Sequence, residues 1–357
     1  MVTAAQMGSG MSTVARPLGC CIETRLDVRI KPHVEMSLDA ADTSVRATKC
    51  VRYPVLLFAL SVTLHATTFY VTVAGLGGEP EYEQRFASEA QEMDKLLRAG
   101  NPDAKVQTLS GAQATKAQVQ SALAGVAKEA KAGDAFVLML IGHGSFDGVD
   151  YKINLPGPDL SAVELAALLD RIPASRQLVV NMTSSSGGSR AALEKPNRAV
   201  ITATKSGSEK NATIFARYWV EALRDPAADT DKNETVSALE AFIYAEQKTS
   251  QFYDTQKRLA TEHPTLEDTG QSDGTRKPSP ENGEGRLASQ IAMLHIGATQ
   301  AAANTPEKKA LLAHREELEQ QIDTLKYQKA ATPPDEYKKQ LEALLLELAK
   351  TQAELDK

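Results

Sequence analysis

From about residue 67 the chain alternates short apolar runs with longer stretches of helical spacing. The run that organises the rest is Ala135 to Gly144, Ala-Phe-Val-Leu-Met-Leu-Ile-Gly-His-Gly. An uncharged apolar run between glycines predicts a strand buried on both faces, as at the centre of a parallel sheet. Further strands are predicted over residues 68–74, 105–109, 177–181 and 199–203. Helices are predicted between them. Residues 79–99 carry Phe86, Ala90, Met93 and Leu97 at helical spacing, and residues 115–131 carry Val119, Leu123 and Val126. A third helix covers 160–172, opened by Ser161 with Glu164 three residues on, the pattern of a capping box. A short helix begins at Ser189, and another spans 213–223. Strands alternating with helices predict an α/β fold, a mainly parallel sheet covered by helices on both faces.

After Asp225 the pattern changes. An acidic stretch, 229–240, leads into a helix that runs to about residue 259. Residues 268–304 begin with a Gly-, Pro- and charge-rich stretch and are expected to be a linker. The tail, 305–357, holds two amphipathic helices broken at Thr332-Pro-Pro334, which predicts an α-helical hairpin. Leu311, Leu318, Ile322 and Leu325 line one helix; Tyr337, Leu341, Leu344, Leu345 and Leu348 line the other. These stripes must be buried on each other, on the body or on a partner, so helix-mediated self-association or partner association is one expectation. A polar linker also predicts that the body, 67–267, folds without the tail.

At the other end, residues 1–45 lack hydrophobic periodicity and read as a disordered leader or an over-extended start. Arg46, Lys49 and Arg52 then precede an apolar core, 54–64, and a small residue, Ala66. A basic flank, a short apolar core and a small residue predict a signal peptide over 46–66, and hence a secreted or periplasmic protein. The core is too short to span a bilayer, so no membrane span is expected after cleavage.

Composition narrows the function classes. The chain has 357 residues, a net charge of −6 and 5% aromatic residues. No basic patch interleaved with aromatics appears, so nucleic acid is not an expected partner. Cys20, Cys21 and Cys50 all precede residue 54, which leaves the body without a disulfide, a thiol nucleophile or a cysteine metal site. Gly75-Leu-Gly-Gly78 follows a strand but lacks the spaced third glycine of a dinucleotide loop. No organic cofactor is required by any motif.

Two loops carry candidate chemistry. His143 and Gly144 leave the central strand at the carboxyl edge, where open α/β sheets bind ligands. The next strand ends in Val179-Val-Asn-Met-Thr-Ser-Ser-Ser-Gly-Gly-Ser189, which leaves the sheet at the same edge. Small hydroxyl residues with two glycines can wrap closely around a carbonyl or an anion. The loop is not the Gly-x-Ser-x-Gly elbow of α/β-hydrolases.

The order strand, Gly-His-Gly, helix, strand, loop ending in Ser-Gly resembles the legumain-type (asparaginyl endopeptidase) cysteine peptidases of the caspase–hemoglobinase fold. The resemblance covers about residues 69–266, including Val200-Ile-Thr-Ala-Thr204 and Ala227-Ala-Asp-Thr-Asp231. It implies that His143 is the general base and that the Gly144 amide helps to hold an oxyanion. It also implies a Cys-x-Ser-Gly nucleophile loop. Ser184-Ser185-Ser186-Gly187 is the match, so Ser184 stands where Cys belongs, and aligning on Gly188 would put Ser185 there instead. A thiol with a reference pKa of ~8.5 is readily ionised by a neighbouring imidazole. A serine hydroxyl normally needs a base that is itself oriented by a carboxylate. Asp147 and Asp150 follow His143, but nothing in the sequence sets either against the imidazole. The leading expectation is a peptide- or protein-binding relative that is catalytically silent or altered. A serine-dependent hydrolase using His143 and Ser184 is the alternative.

The acidic stretch suggests a cation. Counting Asp229 as first, oxygen side chains fall at Asp229, Asp231, Asn233, Thr235 and Ser237, with Glu240 twelfth. That is the ligand spacing of an EF-hand loop, apart from Glu234 where the turn asks for glycine. Calcium is therefore the one cofactor expected, with Asp229, Asp231, Asn233, Thr235 and Glu240 as ligands. A calcium-stabilised assembly module, docking through the hairpin, is the third functional expectation.

Overall fold

The computed structural model describes residues 66–357 except 272 and 304. The leader and the signal-peptide core lie outside the described residues. Among the described residues no helix is long and apolar enough to cross a membrane.

In chain order the body runs β1 (Thr68–Ala74), α1 (Pro80–Gly100), β2 (Lys105–Leu109), α2 (Lys116–Glu129) and β3 (Ala135–Ile141). A small antiparallel sheet follows, β4 (Gly144–Phe146), β5 (Tyr151–Ile153) and β6 (Leu160–Ser161). Then come α3 (Ala162–Leu169), β7 (Arg176–Asn181), α4 (Arg190–Leu193), β8 (Arg198–Thr202) and α5 (Phe215–Arg224). After them lie β9 (Thr235–Ser237), α6 (Ala238–Thr255) and β10 (Thr265–Glu267). The chain ends with α7 (Arg286–Ser289), β11 (Ala292–His295), α8 (Gly297–Ala303), α9 (Pro306–Tyr327) and α10 (Pro334–Leu355).

The main sheet has the order β10-β8-β7-β3-β1-β2, and every pairing but β8 with β10 is parallel. This is the α/β architecture the alternation predicts. All seven residues of β3 are buried, because both faces are covered. Phe136, Leu138 and Leu140 pack with Val119 and Leu123 of α2 and Leu165 of α3. Val137, Met139 and Ile141 pack with Phe86 and Met93 of α1, Trp219 of α5 and Phe242 of α6. A two-residue side-chain period on one strand thus feeds two separate cores. The predicted capping box at α3 is present: Ser161 Oγ accepts from the Glu164 amide at 3.2 Å, and Glu164 returns a contact of 3.0 Å to the Ser161 amide.

The expected linker, 268–304, is overturned in its second half. β11 pairs antiparallel with β9, and Met293 and Leu294 join the core that holds Tyr70 and Trp219. The Tyr70 hydroxyl donates to the Ala292 carbonyl at 2.9 Å. The apolar tetrad Ile291 to Leu294 was masked by its Gly- and Pro-rich approach. The body therefore extends beyond 267. Beyond it the hairpin forms, with α9 and α10 in contact. Leu318, Ile322 and Leu325 of α9 are buried, whereas Leu345 and Leu346 of α10 stay exposed.

Candidate functional site

The chain steps from β1 outward to β2, then returns to lay β3 on the other side of β1. The strand order reverses there, and ligands of open α/β sheets bind at the carboxyl end of such a reversal. Two loops meet at that point, Gly75–Gly78 after β1 and Gly142–Gly144 after β3. The Gly75 amide donates to the Ile141 carbonyl at 2.8 Å. A Cβ on Gly144 would stand 2.6 Å from the Ser184 carbonyl and from the Tyr151 hydroxyl. Only glycine allows so close an approach.

His143 is half-buried against α1. Its ring meets Tyr82 edge-on at 4.8 Å between centroids and Phe86 at 5.2 Å. It also shares a hydrogen bond with the Gly77 backbone, of the kind that favours the protonated ring and so involves the carbonyl. Burial and the nearby Arg85 guanidinium hold its pKa below the ordinary histidine value, against the opposing pull of Gly77, Glu79 and Glu83. The imidazole is therefore neutral at pH 7 and has the proton-accepting form a base needs. A backbone carbonyl, not a carboxylate, orients it. Asp147 accepts from the Val149 and Asp150 amides in the β4–β5 turn, which gives it a turn-making role.

Ser184 follows β7, next to β3 in the sheet. Its hydroxyl accepts from the Gly144 amide at 3.0 Å and donates to the Gly144 carbonyl at 3.1 Å. The structure thus brings Ser184 and Gly144 together, with the serine occupying the amide that the resemblance assigns to an oxyanion. Most other hydroxyls of the loop close on one another. Thr183 Oγ1 donates to Asn181 Oδ1 at 2.8 Å, and Asn181 Nδ2 donates to Ser189 Oγ at 3.0 Å. Ser189 Oγ donates to the Ser186 carbonyl at 2.6 Å, and Thr204 Oγ1 accepts from the Gly187 amide at 2.9 Å. Tyr151 bonds Thr183 from the small sheet. Ser185 differs from the rest. Its φ is 56°, and its buried Oγ has no hydrogen-bond partner.

The acidic loop lies at another part of the fold. Asp229, Asp231 and Glu240 each bring a carboxylate oxygen within 4.8 Å of the others. Asn233 touches this cluster as a donor, its backbone amide to Asp229 at 3.2 Å and to Asp231 at 3.1 Å, and both it and Thr235 also have partners outside it. Asn233 Nδ2 donates to Glu319 of α9 at 3.2 Å, and Thr235 Oγ1 faces His295 Nδ1 at 3.3 Å. Glu240 also has a local duty: one oxygen accepts from the Ser237 amide and hydroxyl, the other from the Thr230 amide and hydroxyl. It completes a capping box at α6. Glu234 takes φ 61°, so the turn that asks for glycine is made with a glutamate. Loss of solvation, then the charges of Glu240 and Asp229, push the Asp231 carboxyl up to about 6. Three carboxylates are a partial shell for calcium, which takes six to eight oxygens.

The sequence reading missed Gly77, Tyr82, Phe86 and Arg85 as the setting of His143. The signal was present in Gly75-Leu-Gly-Gly78, whose glycines serve the close approach of two loops. Two grooves, of about 670 Å³ between α6 and residues 275–277 and about 450 Å³ between α7, α9 and α10, are lined by neither His143 nor Ser184.

No protein-family model matches the chain, and no curated protein does. Solved structures do. The chain is similar to protein GSU0716 from Geobacter sulfurreducens, with 16% identity, 65% of this chain and 100% of that chain covered, and a TM-score of 0.43. It is similar to caspase-1 from Spodoptera frugiperda, with 12% identity, 57% and 86% covered, and a TM-score of 0.40. It is also similar to the Drosophila initiator caspase Dronc, with 11% identity, 57% and 80% covered, and a TM-score of 0.36.

Proposed function

We propose that the chain is a legumain-like protein of the caspase–hemoglobinase fold that binds a peptide at the carboxyl edge of its sheet and does not cleave it. The carrying observation is the paired contact of Ser184 Oγ with the Gly144 amide and carbonyl. A hydroxyl held in both directions by one backbone residue is a poor nucleophile, and it fills the donor a tetrahedral oxyanion would need. His143 supplies a neutral base, but general-base catalysis is worth roughly 10²–10⁴-fold, too little for an un-ionised hydroxyl to attack an amide. Carbonyl orientation from Gly77 suits a histidine that serves a thiol, which ionises on its own more readily than a serine. Calcium held by Asp229, Asp231 and Glu240 would neutralise a crowded loop far from this edge and takes no part in the chemistry.

Two assays test this reading. The native protein is expected to leave asparaginyl and aspartyl peptides intact. Ser184→Cys is expected to be alkylated by a thiol-reactive asparaginyl peptide, and to lose that labelling in the His143→Ala background. Turnover by the native protein that vanishes in Ser184→Ala would establish the serine hydrolase instead. A Cys variant that labels equally with and without His143 would remove the histidine from the site.

A further inference from the structure

We propose that the Ser184–Gly144 contact is a latch under tension, held closed at the expense of Ser185 and opened when a ligand carbonyl takes the Gly144 amide. The inference rests on the reading that this amide faces the bound peptide. It adds that the nucleophile loop has two states and that the one seen here is the self-occupied state.

Three observations carry it. The first is the latch itself, in which one hydroxyl uses both its donor and an acceptor position on Gly144. The second is the adjacent residue. Ser185 sits at φ 56° and ψ 11°, a left-handed conformation that non-glycine residues seldom adopt. Its side chain is fully buried and its Oγ is unpartnered, although nearly every other hydroxyl around it is bonded. Both features disfavour the present arrangement, and both would be relieved if the loop turned over at Ser185. The third is what holds the loop against that tendency. The Ser185 amide donates to the Glu209 carbonyl at 2.8 Å. Glu209 in turn is fixed by its carboxylate, which accepts from the Lys205 amide at 2.9 Å and meets His263 Nδ1 at 2.5 Å. The strained residue is therefore clamped from the loop after β8, while Ser184 is held from the loop after β3.

Opening exchanges like for like. Ser184 Oγ leaves the Gly144 amide, a ligand carbonyl replaces it, and the amide stays bonded throughout. The strain at Ser185 lowers the cost of the exchange. A peptide binder built this way hides an amide donor from water when empty and yields it to an acceptor that fits.

Amide hydrogen exchange of Gly144 in the full-length protein reads the latch without ligand or turnover, so its result is independent of the peptide assays above. Ser184→Ala removes the acceptor and is expected to speed Gly144 exchange at least tenfold. Ser185→Gly removes the left-handed strain and the orphan hydroxyl together, and is expected to slow Gly144 exchange by about tenfold. Ser185→Ala removes only the hydroxyl and is expected to slow it less. Exchange of the β3 amides serves as the control for global stability. If Ser185→Gly does not fold, the slowing in Ser185→Ala decides alone. Gly144 exchange that is unchanged in Ser184→Ala, or unchanged or faster in a folded Ser185 variant, would overturn the proposal.

Discussion

The loop from Thr183 to Ser189 and the loop from Asp229 to Glu240 are both runs of oxygen-bearing side chains, yet the fold treats them in opposite ways. A hydroxyl donates and accepts, so hydroxyls and one amide side chain can satisfy each other in the dry interior. The first loop does this almost completely, around Asn181, Thr183, Ser189 and Thr204. A carboxylate only accepts. The second loop must therefore spend its own backbone amides: Asp229 takes the Asn233 and Glu234 amides, and Glu240 takes those of Thr230 and Ser237. It also leans on α9, where Glu319 accepts from Asn233 Nδ2 at 3.2 Å and Arg315 donates to Thr235 Oγ1 at 3.5 Å. One loop is neutral and is closed by hydroxyls, an amide side chain and backbone groups packed around it. The other is charged and depends on a neighbour.

The largest test of that contrast removes the neighbour. Deleting residues 305–357 strips away the buried side chains of Leu318, Ile322 and Leu325, each worth about 1.5–3 kcal/mol of burial. The melting temperature is expected to fall more than for any point change below, while truncation before α10 alone has a milder effect. Equal losses from the two truncations would show that α9 does not anchor the hairpin.

The next test strikes the neutral loop. Asn181→Leu leaves Thr183 and Ser189 each short of a partner, and is expected to cost about 3 kcal/mol. It should lower the urea midpoint without changing the slope. A loss below about 1 kcal/mol would mean that the network reforms around the gap.

Calcium probes the charged loop. At 1 mM the ion is expected to add about 1.4 kcal/mol if its dissociation constant is near 10⁻⁴ M, read as a rise in melting temperature. Asp231→Asn should abolish the rise. An equal rise in that variant would place the ion elsewhere.

The smallest expected effect is a pH slope. His143 has a folded pKa below its unfolded value of about 6.5, so the unfolded chain binds the extra proton more readily. Its stabilising share is whole above that pH and is lost as pH falls below it. Between pH 7 and pH 5 the native protein is expected to lose more stability than His143→Phe, whose ring can occupy the same place beside Tyr82 and Phe86. Parallel curves would mean that the imidazole protonates as freely in the fold as out of it.

What the sequence determined by itself was local. The two-residue period of β3, the helical spacing of Phe86, Ala90, Met93 and Leu97, and the Ser161–Glu164 capping box are each encoded within one helix or one strand. So is the exit of His143 and Ser184 from strand ends, which places both at one edge once the sheet is parallel. Tertiary structure decided which groups these residues meet. Gly77 orients His143 across 66 positions, and Gly144 takes Ser184 across 40. β11 joins the core from beyond a stretch that reads as a linker. Glu240 shows both levels at once: its spacing from Asp229 suits a cation, while its spacing from Ser237 makes a cap, and the cap is in place. Periodicity reports how a segment buries itself. A hydrogen-bond partner depends on where two distant segments are packed, and no local pattern carries that distance.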